Sequence, residues 1–78
     1  MLEKNIETIE AMNRKSWDSA ICNPKASLGF AESALRLSEE LGYEKGRADA
    51  LLNLGWASFY SSRLPDAYSA FDSAHRLY

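Results

Sequence analysis

The side chains that most often do chemistry are sparse in this chain. It has one histidine, His75, and one cysteine, Cys22. A nucleophile needs a base within hydrogen-bond reach, and a metal site needs several Cys, His or carboxylate ligands at short spacing. Neither set is present. His75 falls in what reads as the last turn of a helix, where a cation complements the helix dipole. Cys22 has no second cysteine to pair with, which fits a reducing cytoplasm, and reads as a small apolar residue near a turn. Gly42 and Gly46 have the spacing of a membrane helix-dimer motif, yet they sit in a polar turn. Glu39-Glu40 and the series Glu3, Glu7, Glu10 read as solvated helix faces. No Gly-x-Gly-x-x-Gly or Walker-type loop occurs. No catalytic residue, metal ligand or cofactor motif is therefore expected, and no enzymatic activity.

The charge pattern narrows the partners. The formal net charge is −2; residues 1–39 carry five basic and six acidic side chains, residues 40–78 four and five. No basic stripe forms to neutralise phosphates, so nucleic acid is not the expected partner. No apolar run is long enough to span a membrane. The stretch from Met1 to Glu7 lacks the basic-then-apolar order of a secretion signal. A cytoplasmic location is the expectation.

Helices must position whatever the chain does present. Seventy-eight residues allow one small domain. Two prolines and four glycines leave little room for the tight turns of an all-β fold. Four helices are expected. The first runs from about Leu2 to Ile21, with Ile6, Ile9, Met12 or Asn13, Ser16, Trp17 and Ala20 on one stripe. Asn23 is a good N-cap for a second helix over Pro24–Leu41, and Gly42 suits its C′ position. That helix turns Ser27, Leu28, Ala31, Ala34, Leu35 and Leu41 inward. The turn Gly42–Gly46 leads to a third helix over Arg47–Ser61, in which Ala50, Leu51, Leu54, Ala57 and Ser58 share a stripe. A fourth runs from Pro65 to the chain end, with Ala67, Tyr68, Phe71, Ala74 and Leu77 along its face.

Internal repetition organises these elements. Advancing the second helix by 40 positions lays Ser27, Leu28, Ala31, Ser33, Ala34, Arg36 and Leu37 on Ala67, Tyr68, Phe71, Ser73, Ala74, Arg76 and Leu77. Asn13 falls on Asn53 in the same register. The chain reads as one all-α domain of two antiparallel helical hairpins, residues 2–41 and 47–78, joined by a linker over 42–46.

The second hairpin resembles the tetratricopeptide repeat. Asn53-Leu54-Gly55 in the third helix, then Ala67, Phe71 and Ala74 at spacings of four and three, carry the resemblance. There are departures: Leu51 stands where the family often has Trp, Ser58 replaces the usual Tyr, and Ser62 the turn glycine. The first repeat is weaker, with Ser27 and Ala31 for Ala and an aromatic. The 40-residue period is also found in HEAT-like pairs, the alternative architecture. The runs Asn23–Ala26, Ala34–Gly46 and Ala50–Gly55 look like the long-linker repeats of bacterial signalling proteins, which often precede a diguanylate cyclase, histidine kinase or other output domain.

The resemblance implies a concave face lined by the first helix of each repeat. In the second repeat that face would present Asp49, Leu52, Asn53, Trp56, Phe59 and Tyr60 to a protein or peptide. Asn53 would bond a peptide backbone, and Trp56 with Tyr60, four apart, would anchor it. The competing use of Trp56 and Phe59 is plain core, packed around Trp17. The family's carboxylate clamp needs basic residues where this chain has Asp49 and Asn53, so an acidic C-terminal tail is not the expected ligand. With no capping helix after Tyr78, Leu64, Tyr68, Phe71 and Leu77 are expected to lack cover. A fragment of a longer chain, or a two-fold homodimer through the last helix, would supply it; exchange of helices through the 42–46 linker is a variant. The expected function is a non-catalytic interaction and oligomerisation module, the N-terminal scaffold or sensory part of a bacterial signalling protein. A stand-alone adaptor that captures a peptide on the concave face is the alternative.

Overall fold

The computed structural model describes residues 5–77, and they form four α-helices and no strand. These are α1 (Ile6–Ser19), α2 (Pro24–Leu41), α3 (Glu44–Tyr60) and α4 (Leu64–Leu77). Asn5 sets the start of α1: its Oδ1 accepts from the Thr8 N–H at 2.8 Å, satisfying a donor that the helix itself leaves orphaned. The expected start at Leu2 lies outside the described residues, as does Tyr78. Asn23 repeats the device on Ala26, with Pro24 in the first turn. Gly42 closes α2 at φ 66, the left-handed conformation that a side chain disfavours.

The expected linker over 42–46 is shorter in the structure. Only Gly42 and Tyr43 separate α2 from α3, because Glu44 already opens the helix, where a carboxylate suits the positive end of the dipole. Gly46 is not a turn residue but a buried point of close approach. A Cβ there would come within 2.6 Å of Ser38 Oγ and 2.7 Å of Ile9 Cγ2. At the next turn Ser62 takes φ 62, in the left-handed region that glycine enters at least cost.

Each helix is antiparallel to the next, so α1 and α3 run parallel. α3 is the hub and packs on α1, α2 and α4; among the described residues α4 packs on α3 alone. Small residues make this possible. Ala31, Ala34, Ala50, Ala57, Ala67 and Ala74 are all fully buried or nearly so. The larger side chains of the core are Ile9, Met12 and Leu37, packed with Ala34 and Ala50 and flanked by Leu35 and Tyr43. Burial of each of the larger ones contributes roughly 1.5–3 kcal/mol. Ile6 and Leu41, expected to face inward, are exposed, because each sits at a helix end beyond the reach of the neighbouring hairpin.

Polar side chains hold the crossings. Ser16 Oγ donates to the Ser27 carbonyl at 2.9 Å, and Ser27 Oγ donates to the Ser16 carbonyl at 2.6 Å, joining α1 to α2. Asn53 Nδ2 donates to the Asn13 carbonyl and to Asn13 Oδ1, each at 3.1 Å. Asn13 Nδ2 in turn donates to the Gly46 carbonyl at 3.2 Å. Both asparagines are buried. The α3–α4 crossing uses shape instead: the Phe71 ring lies where a Cβ of Gly55 would be.

Two stability predictions follow from these contacts. Gly55→Ala forces the Phe71 ring aside and lowers stability by about 1–3 kcal/mol, whereas Gly29→Ala, with open space around it, raises it by about 0.4–1 kcal/mol. Urea denaturation of both variants reads the opposite signs. Asn53→Ala lowers stability by about 1–3 kcal/mol. The double variant with Asn13→Ala loses less than the sum of the two singles, by more than about 0.5 kcal/mol. Strict additivity in that cycle would show that the two amides do not share a bond.

Candidate functional site

The parallel pair α1 and α3 forms a surface that α2 and α4 leave open, and it has a polar and an apolar half. The polar half, a groove of about 380 Å³, is lined by Glu10, Asn13, Arg14, Lys45, Asp49 and Asn53 among others. Lys45 Nζ lies 3.4 Å from Glu10 Oε2 and 3.2 Å from Asp49 Oδ2. These bonds to Asp49 first, and then to Glu10, push the Lys45 ammonium above its ordinary pKa. The Tyr43 hydroxyl donates to Glu10 at 3.1 Å. Desolvation, followed by that bond, pushes the phenol upward. Both groups therefore hold their protons more firmly than free side chains do, and the charges of this half are largely spent on one another.

The apolar half lies toward the C-terminal ends of the two helices. Trp17, Ala20 and Ile21 from the end of α1 face Trp56 and Tyr60 of α3 across a cavity of about 230 Å³. That is below the range of ~300–1,000 Å³ in which small-molecule cofactors sit, and suits a single side chain. Trp17 is 58% exposed and Ile21 71%. Trp56 is fixed from behind. Its ring stands edge-on to Phe71 at 5.2 Å between centroids and to Phe59 at 6.2 Å, and stacks with Tyr60 at 6.2 Å and 25°. Trp17 lines both halves.

All six residues expected on the concave face belong to α3, and the structure distributes them. Asp49, Leu52 and Asn53 line the polar half; Trp56 and Tyr60 line the apolar half. Asn53 is only 6% exposed, and its Nδ2 is committed to Asn13. Phe59 lies in neither groove; it is half exposed and packs its edge against Trp56 and Tyr60. The competing expectation that Trp56 and Phe59 close around Trp17 is not met, since Trp17 makes no ring contact with either among the described residues. The gap between them is the cavity itself.

Of the four residues expected to lack cover, Tyr68 is 71% exposed and Leu64 is exposed. Leu77 is half-buried. Phe71 is half-buried: its ring lies against Gly55 and edge-on to Trp56, so part of its surface is covered within the chain. Ile21 was not expected in the apolar half, and Trp17 was expected beside Trp56 only as core. The available signal was their spacing of four at the end of the first helix, which matches Trp56 and Tyr60 at the end of the third.

Among the described residues no group of three or more His, Cys, Asp or Glu side chains is placed to hold a metal. None of their helices is long and apolar enough to cross a membrane. Comparison with protein-family models, with curated proteins and with solved structures gives no match to this chain.

Proposed function

We propose that the chain is a non-catalytic protein-interaction module of the tetratricopeptide-repeat type, and that it docks a segment of a partner protein on the α1–α3 surface. The observation that carries this reading is the cavity between Trp17, Ile21, Trp56 and Tyr60. It exposes aromatic side chains that a solitary domain gains most by burying, and such residues dominate the energetics of protein interfaces. The polar groove beside it, lined by Glu10, Arg14, Lys45 and Asp49 among others, gives a docked segment charged side chains to meet at its rim. The wording of the Ala34–Gly55 stretch supports placing such a module in the scaffold or sensory part of a bacterial signalling protein.

A second reading, homodimer formation through the last helix, is favoured by one observation: Leu64 and Tyr68 are exposed on the same flank of α4. Both uses are compatible, since the α1–α3 cavity and this flank do not share residues.

Selection of a random linear peptide library on the immobilised chain tests the docking surface. Enriched peptides are expected to perturb the indole signals of both tryptophans and to lose binding in the Trp17→Ala variant. Enriched peptides that leave both indoles unmoved would place docking elsewhere. For the second reading, light scattering over a wide concentration range is expected to show a dimer that Tyr68→Glu splits; a monomer throughout would remove it.

A further inference from the structure

We infer that the aromatic cavity takes the side chain of an arginine from the docked segment, in preference to an aliphatic one. This rests on the α1–α3 surface being a docking face, and it assigns the chemistry of the residue that fills it. Three of its five lining residues are Trp17, Trp56 and Tyr60. Their ring faces carry the negative side of the aromatic quadrupole, with tryptophan the strongest, and attract cations. Trp17 is not in contact with the other two rings, so the cavity between them has room for a guest flanked by π-systems.

The backbone adds to this field. α1 and α3 run parallel, and the residues that line the cavity lie in or just beyond the C-terminal turns of both helices. Each such end carries about half a negative charge from the aligned peptide dipoles. Neither last turn contains a basic residue to offset it. The next basic residue after α3, Arg63, is engaged by Asp66 at 3.0 Å. Arg14 lines the adjoining polar groove, which also holds the carboxylates of Glu10 and Asp49. The chain already makes one contact of the proposed kind on the other side of α1, where Lys15 Nζ lies 5.8 Å from the centre of the Phe30 ring.

Arginine fits better than lysine. A guanidinium is planar, weakly hydrated and stacks on aromatic faces, whereas an ammonium holds its water tightly. Its three-carbon stem would pack along Ile21 and Ala20 while the head lies among the rings.

Both tryptophans of the chain line the cavity, so their indole N–H resonances report on it directly. Three short capped peptides, alike except for a central arginine, citrulline or norleucine, serve as probes. Citrulline keeps the shape of arginine without its charge. The arginine peptide is expected to shift both indole resonances saturably, with citrulline and norleucine weaker by about fivefold or more. Trp17→Leu, at an exposed position that tolerates the change, is expected to erase the preference for arginine and leave norleucine binding in place. Norleucine binding as tightly as arginine would overturn the inference while leaving the docking surface intact. If no probe moves either indole, the docking surface itself fails.

Discussion

The distance between α1 and α3 is set by two buried amides. Asn53 reaches across to Asn13, and Asn13 reaches on to the carbonyl of Gly46 one turn into α3. A buried amide without partners is costly, while a satisfied one fixes geometry. The two helices are therefore held at one separation and one register. Everything on the open surface depends on that register. It puts Lys45 between Glu10 and Asp49 at one end of the pair, and Trp17 opposite Trp56 and Tyr60 at the other. A slip of one helix residue, about 1.5 Å along and 100° around, would dismantle both.

The rest of the packing serves the same closeness by different means in each hairpin. The first hairpin crosses on a reciprocal pair of serines, Ser16 and Ser27. The second has Trp56 and Ala67 at the repeat-equivalent positions and crosses instead on Gly55 against the Phe71 ring. Glycine and alanine at the crossings let the backbones approach, and the bulk lost there returns as aromatic side chains at the margins. The aromatic cluster around Trp56 follows from that exchange. It is part core and part surface, with Phe59 and Tyr60 forming its exposed edge.

Much of this was legible in the chain. The 3.6-residue spacing of apolar positions, the caps Asn23 and Gly42 and the 40-residue register gave four helices as two hairpins, with α2 bounded as the structure has it. The asparagine pair was visible as a repeat but not as a bond, since spacing within one helix does not say what lies opposite. Gly46 misled because glycine marks both turns and close approaches, and only the neighbours Ser38 and Ile9 distinguish the two. Trp17 read as core because its spacing matches the buried stripe of α1. At the end of a helix, though, that stripe passes beyond the partner helix, and the ring is left on the rim. The cover that Phe71 finds against Gly55 was not legible, because a void left on another helix is invisible to periodicity.

The connectivity of contacts also carries a consequence for how the chain comes apart. α3 is held by three neighbours, whereas α4 is held by α3 alone among the described residues. Opening of α4 therefore breaks one interface and leaves the other three standing, while opening of α3 breaks three and leaves only the α1–α2 interface. Amide protection against solvent exchange should descend from α3 outward, with α4 the first to release its protons. Coupling among the helices therefore runs through α3, which joins α4 to both α1 and α2. Anything that settles on the outer flank of α4 tightens the whole array from its loosest end.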